Sequence, residues 1–376
     1  MILPPSILGV LGGGQLGRMF AVAARTMGYR VWVLDPDPHS PAGTFADRQI
    51  TAGYDDPAAI AELAQHCAAI TTEFENVPSE TLQQLENLLP VRPGSAAVAI
   101  TRDRILEKTF IRDQDLATAN FFAIRSAAEL DTAWEQLQLP ALLKTARLGY
   151  DGKGQVRVDN LQDAHDGFRQ LGEVPCILEE RAQLDLELSV ILARGTSGET
   201  AVFPVGENSH ASGILDTTCV PARVSADISA RATDMALRLA SAMQYCGVLA
   251  VEFFLTVDGR LLVNEMAPRP HNSGHYTLDA CLNSQFEQQV RTLCGLAPGA
   301  ARLLSPVVMV NILGDLWAQQ APPWQHLLSR PQAKLHLYGK RDARPGRKMG
   351  HYTCVAATLD ECLEAAEQIR TELAWH

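Results

Sequence analysis

Short apolar runs rich in β-branched residues alternate along this chain with stretches whose apolar positions recur every three to four residues. These are the patterns of buried strands and amphipathic helices. Residues 7–11 read as a strand, the following RMFAVAARTMGY as a helix, and residues 30–34 as a second strand. A helix over 57–67, a strand over 68–72 and a helix over 78–89 continue this α/β alternation. Residues 91–104, punctuated by Pro93-Gly94, mark a boundary. Helices are then expected over 103–114, 126–137 and 161–171, with strands over 141–144, 176–182 and 185–193. A long helix over 227–245 carries no legible chemistry. Two apolar runs then flank Asp258-Gly259, the strongest short-range signal for a two-residue hairpin turn. A strand over 307–313 follows, and near residue 335 LHLYGKRDARPGRKMGHYTCVA reads as a strand, a cation-rich turn and a strand.

Composition narrows the class. At 376 residues and 47% hydrophobic, the chain exceeds the size at which single cores usually divide, so two or three domains are expected. A net charge of −11 gives no electrostatic footprint for nucleic acid or an anionic membrane. Eight scattered cysteines without a C-x-x-C pair read as reduced thiols of a cytosolic protein. The first residues lack the basic start of a signal peptide, and no window approaches the roughly 18 apolar residues of a membrane span.

Candidate chemistry concentrates at a few points. A two-residue turn at Asp258-Gly259 places Glu252 opposite Glu265, and facing carboxylates repel unless something compensates them. With Asn264 beside them, the donors are all oxygen, which suits Mg²⁺ held together with substrate phosphates. The competing picture is an exposed hairpin, or a bulge that breaks the register. Near the amino terminus, Gly12 to Gly17 followed by Asp35 matches a dinucleotide-binding turn. The same glycines suit another phosphorylated ligand, or close packing of helix on strand. Glu73 and Glu75 fall at a strand's carboxyl end, where α/β sheets bind ligands, although Glu75 also suits a solvated helix cap.

Arg104 and Lys108 share a helix face that, taken alone, is a solvated one. A second glycine-rich stretch, Gly149, Gly152 and Gly154 with Lys153, lies between strands and can close over phosphates. Lys144 before it needs an anionic partner. Glu179 and Glu180 end an apolar strand that could serve an adenine and its ribose, and Glu187 starts the next. Arg269, His271, Asn272, Ser273 and His275 crowd a proline-rich loop, and loops carry function disproportionately. Lys340, Arg341, Arg344, Arg347 and Lys348 form the densest basic cluster, a phosphate clamp or a solvated loop.

Taken together, LGGGQLGRM, ITTEFENVP, RDRILEK, LGYDGKGQ, VEFF, VNEMAPRPHNSGHY and RPGRKMGH closely resemble the N5-carboxyaminoimidazole ribonucleotide synthetases, a family of ATP-grasp enzymes of purine biosynthesis. The resemblance implies an α/β and α+β chain with the ATP-grasp fold. Its expected parts are a Rossmann-like pre-ATP-grasp domain over 1–100, an ATP-grasp domain over 101–296 with a lid at about 115–182, and a small C-terminal domain over 297–376. It implies an ATP-dependent ligase that joins bicarbonate to 5-aminoimidazole ribonucleotide through carboxyphosphate, as a cytoplasmic homodimer. Another ATP-grasp ligase or an NAD(P)-dependent oxidoreductase are the alternatives.

Carried over by position, ATP contacts fall to Arg104, Lys144, Gly149, Tyr150, Asp151, Gly152, Lys153, Gly154, Gln155, Glu179, Glu180, Arg181, Ala182, Glu187, His210, Asn264 and Glu265. Glu252 and Glu265 would hold Mg²⁺. Gly14, Gln15, Leu16 and Glu73, with Tyr150 and Asp151, would face the ribonucleotide, and Lys340, Arg347 and Lys348 its phosphate. Arg269, His271, Asn272 and Ser273 would bind bicarbonate or carboxyphosphate. Glu180-Arg181 departs from the Gln-Gly of many relatives, a change that the expected backbone contacts to adenine survive.

Overall fold

Three sheets organise the chain, and a computed structural model describes residues 1–74, 76–137, 140–149, 153–318 and 320–374 of it. The first sheet is four-stranded and parallel, in the order Arg48–Ile50, Arg30–Leu34, Ile7–Leu11, Ala69–Thr72. Helix Gln15–Thr26 crosses over between its first two strands, and the apolar stripe of that helix buries Leu16, Met19, Phe20 and Ala24. Asp56 caps helix Pro57–His66 by accepting the Ala59 N–H, with Pro57 at the first helical position, where a missing N–H costs nothing.

The second sheet is antiparallel and joins the middle of the chain to its end. Its nine strands run in the order Leu261–Ala267, Gly247–Thr256, Leu184–Arg194, Gly206–Ala211, Ile214–Val220, Val307–Leu313, Lys348–Val355, Ala333–Leu337, with Thr200–Val202 as a side branch on Leu184–Arg194. Hydrogen bonding is therefore continuous from Ile214–Val220 into Val307–Leu313, so the last part of the chain extends the central sheet. The third sheet lies within the segment expected as the lid and is called the lid sheet; its four antiparallel strands run in the order Phe121–Ile124, Cys176–Glu180, Ala141–Thr145, Gln155–Val158, with their own apolar core of Ile124, Leu130, Leu143, Phe168 and Leu178.

One buried carboxylate fastens the C-terminal strands to the loop that follows the acidic hairpin. Asp279 accepts from Thr353 Oγ1 at 2.6 Å and sits 2.8 Å from His336 Nε2 and 3.4 Å from Lys334 Nζ. Burial alone would raise its affinity for a proton, but His336, Thr353 and Lys334 outweigh this and hold its pKa at about 2. A carboxylate with a depressed folded-state pKa stabilises the fold above its ordinary value of 3.8, and that contribution is lost as pH falls toward 2. Asp279→Asn is expected to cost about 3 kcal/mol at pH 7, because it leaves partners of a buried charge unpaired. Urea unfolding at pH 7 and again at pH 3 should show the gap between variant and parent shrinking in acid.

Candidate active site

The hairpin brings Glu252 and Glu265 together by a route other than the one its Asp-Gly dipeptide suggests. Thr256 and Arg260 close a three-residue loop in which Gly259 takes φ +80°, and Leu255, Phe254 and Phe253 pair with Leu261, Leu262 and Val263. A bulge then inserts Asn264 on one strand and restores the pairing of Glu252 with Glu265. The longer loop shifts the register by one residue, and the bulge shifts it back.

Burial and the facing Glu265 raise the proton affinity of Glu252, whereas Arg104 overcomes the effect of burial on Glu265 and holds its pKa low. Arg104 Nη1 lies 2.9 Å from Glu265 Oε2, and its Nη2 donates to the Gly149 carbonyl at 3.3 Å. Two crowded carboxylates, one of them resisting ionisation, fit a hard divalent cation that supplies the missing positive charge. Among the described residues no group of three or more His, Cys, Asp or Glu is placed to hold a metal alone, so such a cation would complete its shell from the ligand.

On one side of this pair lies a buried cationic group. Glu179 Oε1 accepts from Lys144 Nζ at 2.8 Å, and Glu179 Oε2 sits 3.1 Å from Lys108 Nζ. Helix Arg104–Asp113, capped by Asp103, carries Arg104, Glu107 and Lys108 on one face. The reading of that face as solvated is overturned, because the Lys108 side chain is 1% exposed. The lid hairpin delivers Gly149, Lys153, Gly154 and Gln155 beside Lys144, with Gly154 in the left-handed region at φ +71° and Thr145 N–H bonded to its carbonyl. Glu180 and Arg181 leave the adjacent lid strand, their N–H groups bonded to the Asn120 and Pro140 carbonyls, and Ala182 follows. Tyr150, Asp151 and Gly152, like Glu75, lie outside the described residues.

On the other side lie the histidines. His210 Nδ1 is 2.6 Å from Glu187 Oε2, and this carboxylate raises the pKa of the ring against the effect of burial. His271 Nε2 is 3.5 Å from Glu252 Oε1, and its Nδ1 is 2.9 Å from Ser273 Oγ. Burial, with Arg269 and Lys348 nearby, drives the His271 pKa far below its ordinary range and keeps the ring neutral. Gln285 accepts from the His271 N–H at 2.9 Å and donates to its carbonyl at 2.8 Å, which fixes the loop. Asn272 is engaged elsewhere: its amide exchanges two hydrogen bonds, 3.0 and 2.6 Å, with that of Asn311. The side chain expected to meet bicarbonate thus ties its loop to the central sheet.

The amino-terminal glycines are filled from within the protein. Gly14 and Gly17 donate their N–H groups to Glu73 at 2.7 and 2.8 Å, and Gly13 donates to Asp35 at 2.6 Å. A Cβ at Gly12 would stand 2.6 Å from Glu73 Cγ, so this glycine makes room for the acid. Asp35, the residue that would contact a dinucleotide's ribose, also accepts from Tyr54 and from the Asp37 N–H. Burial pushes the Glu73 pKa up to about 7, against the pull of Gly17, Gly14 and Arg269. Gln15 starts the helix beside Glu73, and Leu16 buries its side chain in the core, which leaves only its backbone for the contact expected of it.

The basic cluster divides. Arg341 and Arg344 are exposed, while Lys340, Arg347 and Lys348 are half-buried. Lys340 Nζ donates to the Lys348 carbonyl at 2.8 Å, and Arg347 to the Asp342 carbonyl at 2.9 Å. The charge of Lys348 acts on Glu252, His210 and His271, which places it at the same cleft.

Comparison with known proteins gives this cleft a family. Residues 6–102 match the ribonucleotide synthetase preATP-grasp domain, 109–286 the ATP-grasp domain, and 307–365 the phosphoribosylaminoimidazole carboxylase C-terminal domain. The chain is 45% identical over 366 residues to the N5-carboxyaminoimidazole ribonucleotide synthase of Bacillus subtilis, covering 97% of this chain and 95% of that one. It belongs to the N5-carboxyaminoimidazole ribonucleotide synthase family. An ADP complex of such a synthetase superposes with a TM-score of 0.93 at 43% identity, covering 98% of this chain and 97% of that one. The Aspergillus clavatus enzyme in complex with ADP and 5-aminoimidazole ribonucleotide superposes at 0.88 with 32% identity, covering 98% of both chains.

Three residues of this family member's cleft went unread in the sequence. Glu107 accepts the Met266 N–H at 2.5 Å, and burial with Glu265 nearby pushes its pKa to about 8. Asn311 holds Asn272, and Gln285 brackets His271. Asn311 is the one polar residue of the apolar strand VVMVNIL, which was an available signal, whereas Glu107 and Gln285 lie on helices beside other polar residues, where nothing local marks them as buried.

Proposed function

We propose that the protein is an ATP-dependent ligase that carboxylates 5-aminoimidazole ribonucleotide with bicarbonate, giving N5-carboxyaminoimidazole ribonucleotide, ADP and phosphate. The observation that carries this reading is the pairing of Glu252 with Glu265 beside Arg104, Lys144 and the His271 loop, in a family whose solved members include an ADP and ribonucleotide complex. Glu252 and Glu265 are the residues to hold Mg²⁺, which when bound supplies positive charge to the nucleotide's terminal phosphates. Lys144 and Arg104 orient those phosphates, and the lid hairpin closes over them. Neutral His271, Arg269 and Ser273 bind bicarbonate, which attacks the γ-phosphate to give carboxyphosphate. Asn272 serves this step by fixing the loop.

Glu73 and Gln15 hold the ribonucleotide, Gly14 serves by fixing Glu73 through its N–H, and Lys340, Arg347 and Lys348 hold the phosphate. Carboxyphosphate hydrolyses in water, so a closed lid protects it until the carboxyl reaches the exocyclic amine. Among the described residues no helix is long and apolar enough to cross a membrane. A cytoplasmic homodimer completes the reading, on the family resemblance.

ADP release should require both 5-aminoimidazole ribonucleotide and bicarbonate, with no NADH oxidised in parallel. ADP formation indifferent to the ribonucleotide would overturn the assignment. Lys340→Ala should raise KM for the ribonucleotide about 10- to 100-fold, the loss of one charge-assisted contact, and leave KM for ATP within about threefold. The opposite ranking would remove Lys340 from the phosphate clamp.

A further inference from the structure

Glu179 is a single carboxylate serving two lysines, and one of them cannot reach a ligand. Its side chain is 2% exposed, that of Lys144 11% and that of Lys108 1%. Burial would raise the Glu179 pKa, yet Lys108 and Lys144 together hold it at about 2, so the acid is ionised throughout the working range. Lys144 and Glu179 belong to the lid sheet, whereas Lys108 comes from helix Arg104–Asp113. Lys108 also donates to Thr118 Oγ1 at 2.9 Å, and Thr118 donates to the Val263 carbonyl at 2.7 Å on the acidic hairpin. Its ammonium is thus fixed between lid, helix and hairpin.

A lone Lys144–Glu179 pair would be neutral, with Lys144 committed to its partner. Adding Lys108 leaves the group one positive charge in excess, in an interior where uncompensated charge is unfavourable. The nearest acids are engaged with other partners, Glu265 with Arg104 and Glu107 with the Met266 N–H. The most exposed ammonium of the three-residue group is Lys144, at the lid hairpin.

We propose that Lys108 is a positioning residue for the nucleotide: it supplies half of the charge balance of Glu179, so that Lys144 presents its own charge to the nucleotide's phosphates. This rests on the proposed role of Lys144 in binding ATP. The role predicts a selectivity that a purely structural lysine lacks, because its effect passes only through phosphate charge.

The test is calorimetric binding of ADP and of adenosine, with Mg²⁺ present, to the full chain and four variants whose cooperative melting is checked first. Lys108→Met should weaken ADP binding about 10- to 100-fold, the range for one charge-assisted hydrogen bond, and change adenosine binding by less than about threefold. Lys108→Arg and Thr118→Val keep the charge and should hold ADP affinity within about threefold of the parent. Wild-type ADP affinity in folded Lys108→Met, or equal losses for ADP and adenosine, overturns the proposal. Should Lys108→Met not fold, a tenfold ADP loss in folded Lys108→Arg or Thr118→Val overturns it, and retained affinity in both supports it. Lys144→Met reports separately: unchanged ADP affinity there removes the reading of Lys144 itself.

Discussion

Glu265→Gln should lower the kcat for ADP formation by about 10³-fold or more while leaving the protein folded. The carboxylate sits 2.9 Å from Arg104 and opposite Glu252, so one substitution removes both the proposed cation ligand and the charge that orients Arg104. Losing a single well-placed electrostatic group of this type costs about 10²- to 10³-fold, and two roles are lost here. Stability should change by only about 1 kcal/mol, since loss of the Arg104 contact is offset by relief of repulsion from Glu252. The checks are initial rates of ADP release and thermal melting of the same preparation. Activity within about tenfold of the parent would exclude a shared cation between the two acids.

Arg269→Ala is the second large effect, expected at about 10²- to 10³-fold in kcat for the carboxylated product. Arg269 acts at once on Glu73, whose pKa it lowers, and on His271, whose neutral form it favours. Under the proposed reading it serves both the ribonucleotide, at Glu73, and bicarbonate, at the His271 loop. Its removal should also let carboxyphosphate escape, so the ratio of product to ADP should fall below that of the parent. Arg269→Lys restores charge without the two-pronged geometry and should recover only part of the rate. A rate within about threefold of the parent for Arg269→Ala would contradict the placement.

How the sequence revealed this site is best seen in particular residues. The facing acids were legible because strand pairing converts a local turn signal into a prediction across two strands, yet the turn is three residues long and the bulge at Asn264 corrects the register. Bulges depend on what the neighbouring strand and site require, which local patterning does not encode. The glycines of residues 12–17 looked suited to a dinucleotide until Glu73 and Asp35, distant in sequence, proved to occupy their N–H groups. Lys108 failed for a related reason. Charge and helical spacing imply a wet face, and only the lid sheet folding over that face buries it. Asn272 and Asn311 are 39 residues apart, and nothing local in either announces the other.

In the proposed reaction one divalent cation would be held by Glu252 and Glu265 together with the nucleotide's terminal phosphates. Anomalous diffraction from crystals grown with ADP and Mn²⁺ tests it most directly. A peak within coordination distance of both carboxylates and of a phosphate oxygen is the predicted result. A peak elsewhere, or ADP lodged against residues 12–17, would contradict it.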